Sequence, residues 1–144
     1  MSSEQQRPQV PTDMNSFNAK LIEEFRANHG QLSGQMAGRR VLILTTRGAR
    51  SGKERAAVIG YRPYKDGLAV IASANGAPKS PAWFHNLQAD PHASVEVGAD
   101  KYEVKARVVN DPQERTEIAR KIEYLEPQQA KTSRQIPVLV LERA

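Results

Sequence analysis

The residues best suited to hold an anion lie in one short stretch, Arg39 to Arg55. This stretch has six basic side chains against one acid, and the whole chain, with 21 basic and 16 acidic residues, carries the same net charge of +5. The excess charge is therefore local, which predicts an anion site rather than a generally basic surface. Gly48 and Gly52 would let backbone N–H groups approach a ligand. Arg50 and Arg55 could each hold a phosphate or carboxylate with paired hydrogen bonds.

An ordinary solvated hairpin turn can have the same composition, and the sequence leaves that interpretation open. The loop is not a P-loop, because G-x-x-x-x-G-K-[ST] does not occur, and G-A-R-S-G does not match the dinucleotide pattern G-x-G-x-x-G. The sequence pI of about 9.7 raises the question of nucleic-acid binding. No aromatic residues are interleaved with the basic ones, and the rest of the chain is balanced in charge. We therefore predict no nucleic-acid partner.

A second stretch whose residues could contact a ligand, residues 74–87, contains the only tryptophan. Ser80 as N-cap and Pro81 as first helical residue predict the start of a short helix, and Asp90-Pro91 predicts its end. This helix carries an aromatic pair followed by two polar residues: Trp83, Phe84, His85 and Asn86. The pair could anchor the helix on the protein core or face a ligand, and the residue types allow both interpretations.

Several kinds of site are excluded by composition. The chain has no cysteine, and its three histidines, His29, His85 and His92, show no metal-ligand spacing, so we predict no metal site. No nucleophile–base motif such as G-x-S-x-G or H-E-x-x-H is present. If the chain is an enzyme, the reaction chemistry should therefore come from a bound organic cofactor, which the protein anchors and orients.

Hydrophobic periodicity predicts the elements that position these stretches. Apolar residues at helical spacing predict a helix over 14–29, and Asp111 with Pro112 predicts the start of another over 112–125, ended by Pro127. The helix after Ser80 is the third. Apolar runs and alternating patterns predict six strands, at 40–46, 55–62, 68–73, 93–97, 101–109 and 136–141.

Together these elements predict one α+β domain with a small, mostly antiparallel barrel over residues 14–144, preceded by a polar flexible tail at 1–13. No run approaches the ~20 apolar residues of a membrane span, and the N-terminus has no apolar core of a signal peptide. We therefore expect a cytoplasmic location. The helix at 14–29 should pack on its own domain. The alternative is a contact with the inner membrane surface. That contact would be weak, because the polar face of the helix carries both acidic and basic residues.

Read together, LILTTRGARSGKER and VIASANGAPKSPAWFHNLQADP resemble the deazaflavin-dependent nitroreductase family of actinobacteria, which uses coenzyme F420. The family pattern is a strand ending in T-T-x-G-x-x-[ST]-G-x-x-R. After a hairpin it continues A-S-x-x-G-A-x-x-x-P-x-W-[YF]-x-N-L-x-A-[ND]-P. Both halves match in order and spacing, and the resemblance covers about residues 14–144. It implies a split β-barrel that passes a hydride from reduced deazaflavin to a quinone, a nitroaromatic compound or a similar small acceptor.

The resemblance also implies which residues hold the coenzyme, while no protein side chain is assigned to catalysis. The phosphate and oligoglutamate tail would lie along the basic loop, at Arg50, Ser51, Gly52, Arg55, Ala56 and Ala57. The deazaflavin ring would be lined, mostly by backbone groups, at Ala72, Ser73, Ala74 and Asn75, and flanked by Trp83, Phe84, His85 and Asn86. The local charge of +5 agrees with a polyanionic tail independently of the family.

The chain departs from the family pattern at two places. Family members often carry a lysine at the position of Ala74, and characterised nitroreductases place several tyrosines before the final strand, where this chain has only Tyr124. Tyr124 is thus the implied substrate contact, in an acceptor pocket that differs from theirs. The alternative function is a non-catalytic module that carries or sequesters a deazaflavin, flavin or haem. The barrel class also allows a homodimer.

Overall fold

The computed structural model describes residues 14–34 and 37–144, without the side chains of residues 14–17 and 75. The predicted tail at 1–13 lies outside the described residues. Within them, the chain forms seven strands and four α-helices. The strands are β1 (Val41–Arg47), β2 (Glu54–Gly60), β3 (Arg62–Tyr64), β4 (Gly67–Ile71), β5 (His92–Val97), β6 (Asp100–Val108) and β7 (Val138–Arg143). The helices are α1 (Met14–Ala27), α2 (Ala82–Ala89), α3 (Pro112–Ala119) and α4 (Leu125–Gln129).

The seven strands form one sheet in the order β2-β1-β5-β6-β7-β4-β3, and every neighbouring pair is antiparallel. The two edge strands, β2 and β3, follow one another in the chain and are joined through Tyr61. The chain itself therefore brings the two edges of the sheet together, and the sheet curls into a barrel. The barrel stays open along a seam where β2 approaches β4 without pairing with it. The predicted α+β split barrel is confirmed.

The barrel has apolar packing on both of its faces near β1. Leu42 and Leu44 belong to the interior cluster, which α2 closes with Trp83 and Phe84. Ile43, between the two leucines, belongs to a separate cluster under α1. This double burial explains the continuous apolar run of β1, as the sequence predicted.

The apolar face of α1 packs on its own domain. Phe25 is 1% exposed and packs with Ile43, and Leu21 and Ile22 are half-buried in the same cluster. The apolar residues of α1 therefore pack inside the domain, as its sequence predicted. No helix in the described part of the chain has the length and apolar character to cross a membrane.

The single helix predicted over 112–125 is wrong, because α3 ends at Ala119 and α4 starts at Leu125. A continuous helix would bring the Pro127 ring against the carbonyl of residue 123. Restarting the helix at Leu125 puts Pro127 in the first turn, where its missing N–H has no helical partner to lose. The N-cap prediction for α3 is confirmed, since the Asp111 carboxylate accepts hydrogen bonds from the next two non-proline N–H groups.

The strand predicted at 55–62 is also divided. β2 ends at Gly60, and Arg62 begins the edge strand β3, which tolerates Pro63 because one side of an edge strand needs no ladder hydrogen bonds. This division raises the strand count from six to seven. The other strands differ from their predicted bounds by about one or two residues, as is usual for element ends.

Candidate active site

A continuous groove follows the open seam of the barrel. Its larger part, about 950 Å³, lies against the loop between β1 and β2, and its smaller part, about 580 Å³, lies between β2 and the segment after β4. Asn18, Ala57 and Trp83 line both parts, so the two adjoin, and we treat them as one cleft. We call the larger part, which contains Arg50 and Arg55, the basic section. We call the smaller part the inner section.

The loop of the basic section is closed by its own hydrogen bonds. Gly48 N–H donates to the Lys53 carbonyl at 2.8 Å, and Gly52 N–H donates back to the Gly48 carbonyl at 2.9 Å. The Ser51 hydroxyl accepts from Lys53 N–H at 3.1 Å. Gly52 has φ +72°, in the left-handed region that favours glycine. These bonds hold the loop backbone in place and leave its long side chains free.

The two arginines of the basic section are available for a ligand. Arg50 and Arg55 are exposed and line the cleft. Neither guanidinium has an ion-pair or hydrogen-bond partner among the residues that the structure describes. Two unpaired cations beside loop N–H groups form a surface suited to phosphate and carboxylate groups.

Asn86 ties the basic loop to the barrel. Its side-chain oxygen accepts from Ala49 N–H at 3.0 Å, and its side-chain amide donates to the Thr46 hydroxyl at 3.1 Å. Asn86 is only 7% exposed, and its bond to Thr46 is buried while its bond to Ala49 is partly buried. The predicted ring-flanking residue therefore has a structural partner in the other motif, a link that the sequence did not indicate.

Asn18 is a site residue that the sequence analysis missed. From α1 its side chain reaches the free edge of β2, donating to the Ala56 carbonyl at 2.6 Å and accepting from Val58 N–H at 3.3 Å. It thereby satisfies two backbone groups of an edge strand and lines both sections of the groove. A lone asparagine within an amphipathic helix matches no binding motif, so nothing local singled it out.

The inner section contains two polar groups without partners. The Tyr124 hydroxyl and the Gln128 side-chain oxygen are buried and have no hydrogen-bond partner within the described part of the chain. A side chain at Gly60 would lie 2.9 Å from the Tyr124 hydroxyl, so glycine there makes room for it. Burial raises the pKa of Tyr124, so its hydroxyl is protonated at neutral pH and can donate a hydrogen bond. Such unpaired buried groups are typical of a ligand site.

Arg134 holds the segment that forms the other wall of the inner section. Its guanidinium donates to five acceptors of residues 72–80, at distances of 2.8 to 3.3 Å: the carbonyls of Ala72, Ser73, Ala77 and Lys79, and the Ser80 hydroxyl. The prediction that Ser80 caps α2 is wrong, because this hydroxyl is used by Arg134. The helix begins at Ala82, with Pro81 at its N-cap.

The structure gathers most of the predicted site residues along the groove. The basic section is lined by Arg50, Ser51, Arg55, Ala56, Ala57, Trp83, His85 and Asn86, and the inner section by Ala57, Ser73, Ala74, Trp83 and Tyr124. Three others do not line it: Gly52 shapes the loop, whereas Ala72 and Phe84 lie in the barrel interior. The side chain of Asn75 lies outside the described residues. Coenzyme contacts for all of these residues stay predictions.

The six basic residues of the opening stretch do not form one site. Arg39 and Arg40 precede β1, and Arg47 ends it, so the two groups are separated by the length of an extended seven-residue strand, about 20 Å. Arg39 lines the inner section instead, with Tyr124. The charge count over the sequence could not show this separation, because it does not include the length of the extended strand between the two groups.

The sequence profile of the F420H(2)-dependent quinone reductase family matches residues 19–143. The chain is also similar to the F420H(2)-dependent quinone reductase Rv1261c of Mycobacterium tuberculosis. The two are 32% identical over 130 residues, which cover 83% of this chain and 85% of the relative.

Two solved structures are each 30% identical to this chain. One is described as an F420-H2 dependent reductase, FDR-A, with a TM-score of 0.63 over 72% of this chain and 95% of that one. The other is described as a domain-swapped dimer, with a TM-score of 0.66 over 92% of this chain and 100% of that one. The family match, the relatives and the fold agree with the two motifs in the sequence, and the chain therefore belongs to the F420H(2)-dependent quinone reductase family.

Proposed function

We propose that this F420-dependent reductase holds the acidic tail of the coenzyme in the basic section of the groove and its deazaflavin ring at the inner section. There it reduces a small quinone acceptor. The observation that carries the proposal is that two adjoining cavities share lining residues, and that one presents guanidinium groups and the other buried polar groups, all without a partner among the described residues. Such a cleft suits a coenzyme with an anionic chain and a flat head, and it leaves the Tyr124 hydroxyl for a small acceptor beside that head.

The residues of the groove fit the coenzyme in chemical type. Arg50 and Arg55 offer paired donors to phosphate and glutamate carboxylates. Trp83 lines the junction of the two sections and offers an apolar ring surface there. The reduced coenzyme supplies the hydride when bound, and the protonated Tyr124 hydroxyl can donate a hydrogen bond to a carbonyl oxygen of the acceptor.

The binding half of this proposal is tested by titrating the protein with oxidised coenzyme and following its fluorescence. Arg50→Ala and Arg55→Ala should each weaken binding by about 1.5–3 kcal/mol, the usual loss for a hydrogen bond to a charged group. Arg47→Ala is the matched control, because Arg47 is exposed nearby but does not line the groove. Unchanged affinity in both groove variants, or an equal loss in the control, would contradict the clamp.

The catalytic half is tested by supplying the reduced coenzyme with 2-methyl-1,4-naphthoquinone and following coenzyme oxidation. Tyr124→Phe should lower kcat/KM for the quinone while leaving coenzyme affinity nearly unchanged. Tight coenzyme binding without turnover over a panel of quinones would instead support the sequestering module. The described residues contain no feature that favours a flavin or haem carrier over this reductase.

A homodimer and the cellular location belong to the same proposal. The domain-swapped dimer found for a structure that this chain matches over 92% of its length supports a homodimer here. Light scattering should then report about twice the chain mass of 16.0 kDa, and a monomer over micromolar concentrations would reject the dimer. We also propose a cytoplasmic location, which cell fractionation would test. Recovery of the protein with washed membranes would instead favour the surface contact by α1.

A further inference from the structure

The Arg134 guanidinium donates to four main-chain carbonyls and one hydroxyl, whereas Arg50 and Arg55 have no partner among the described residues. It lies between α4 and β7, and its five acceptors are 54 to 62 positions away in the sequence. One nitrogen, Nη2, lies within hydrogen-bond distance of three of them: the carbonyls of Ala72 at 3.2 Å, Ser73 at 2.8 Å and Lys79 at 3.3 Å. The Ala72 and Ser73 carbonyls belong to two consecutive peptide units next to the inner section.

The orientation of those carbonyls fixes the orientation of the next N–H groups. In a planar trans peptide the C=O and the following N–H point in opposite directions, and this chain has no cis peptide bond among its described residues. Because the Ala72 and Ser73 carbonyls point towards Arg134, the N–H groups of Ser73 and Ala74 point away from it. Ser73 and Ala74 line the inner section. Neither N–H has an acceptor within the described residues.

The segment also has a backbone that needs external support. Ala74 has φ +48° and Gly76 has φ +82°. Both residues are therefore in the left-handed region, although Ala74 is not a glycine. Left-handed conformations of non-glycine residues persist where the surroundings hold them in place. The guanidinium of Arg134 and the carbonyl of Gln128, close beneath Gly76, supply those surroundings.

We propose that Arg134 is a positioning residue that presents the N–H groups of Ser73 and Ala74 to the ring carbonyl oxygens of the deazaflavin. The inference rests on the proposed function, because it takes the ring to lie in the inner section. It assigns to Arg134 no contact with the coenzyme: the arginine acts through the two peptide units. The deazaflavin ring has two carbonyl oxygens on either side of one ring N–H and can accept from neighbouring donors, whereas the tail at the basic section makes no use of them.

The test separates ring binding from tail binding. Arg134→Met should weaken the binding of the full coenzyme and of 8-hydroxy-5-deazariboflavin, which lacks the phosphate and glutamates, by the same factor of about tenfold or more. Arg50→Ala should weaken only the full coenzyme. Arg115→Met is the matched control: Arg115 is also half-buried and donates to one carbonyl, that of Ile136, at 2.7 Å, but does not touch residues 72–80. Arg115→Met should lower the unfolding temperature and leave the affinities for both ligands within twofold of the wild-type values.

A second measurement reads the two N–H groups directly. In proton–nitrogen correlation spectra of the wild-type protein, the Ser73 and Ala74 amide protons should move downfield when 8-hydroxy-5-deazariboflavin is added. Arg134→Lys keeps the charge but loses the planar fork, and it serves if the methionine variant fails to fold. In either Arg134 variant the two shifts should shrink.

The outcomes distinguish this inference from the proposed function. If the wild type binds both ligands and Arg134→Met or Arg134→Lys binds the ring fragment as tightly, the inference is overturned and the proposed function stands. Equal losses in the Arg115 control, or unmoved Ser73 and Ala74 amides, overturn it in the same way. A wild type that binds neither ligand overturns both.

Discussion

The two walls of the groove are held in place by different means. The basic loop is closed within six residues by its own backbone and the Ser51 hydroxyl, and one distant side chain, Asn86, ties it down. The segment at 72–80 has two turn bonds of its own, and its carbonyls are also bound by one arginine more than fifty positions away. A wall that offers long charged side chains can rely on local bonds, because those side chains adjust to the ligand. A wall that offers backbone donors needs its peptide planes fixed from outside.

The largest expected effect on stability is at Gly76, which we compare with Gly52. Both glycines have a left-handed backbone, but their surroundings differ. Gly76→Ala should lower the free energy of unfolding by about 2–4 kcal/mol, since a Cβ there would lie 2.7 Å from Lys131 Cβ and 2.9 Å from the Gln128 carbonyl oxygen. Gly52→Ala should cost only about 1 kcal/mol, because its φ of +72° is unfavourable but the space around it is open. Urea unfolding of both variants measures the difference. Equal losses would mean that the two loops do not differ in their dependence on tertiary packing.

An intermediate effect is expected at the anchor of the basic loop. Asn86→Ala leaves the Ala49 N–H and the Thr46 hydroxyl unpaired, so the free energy of unfolding should fall by about 1–3 kcal/mol. Affinity for the full coenzyme should fall further than affinity for the tail-less deazaflavin, because the loosened loop is the one that holds the tail. The neighbouring exposed His85→Ala should change stability by less than about 0.5 kcal/mol. A larger loss for the tail-less ligand would reverse the assignment of the two walls.

The smallest effect concerns the strained residue of the inner wall. Ala74→Gly removes about 1 kcal/mol of left-handed strain and adds about 0.5–1 kcal/mol of chain entropy cost, so stability should change by less than about 0.5 kcal/mol. Binding of the tail-less deazaflavin should nevertheless weaken two- to threefold, because the segment becomes less preorganised. Ala49→Gly makes the same replacement in the basic loop and should leave that binding unchanged. Calorimetry of the two variants would detect the contrast, and equal behaviour would count against preorganisation at residue 74.

Some predictions succeeded because local chemistry determines the feature. The double burial of β1 follows from its uninterrupted apolar residues, and the cap of α3 follows from Asp111 followed by proline. The helix at 112–125 failed, since periodicity is insensitive to a short break that keeps Ile118, Ile122 and Leu125 buried on one side. The α2 cap failed because Ser80 has a competing donor that no local pattern reveals.

The sequence by itself determined the charge of the basic loop, the order of the two motifs and hence the family, since these depend on residue type and spacing along the chain. Tertiary structure decided what those residues do. Arg50 and Arg134 are the same residue type, yet Arg50 lines a groove with no partner in the described part of the chain and Arg134 has five acceptors. Asn18 and Asn86 bind backbone groups 37 to 40 positions away. Hydrogen-bond partners so distant in sequence leave no period or motif, because folding alone brings them within reach.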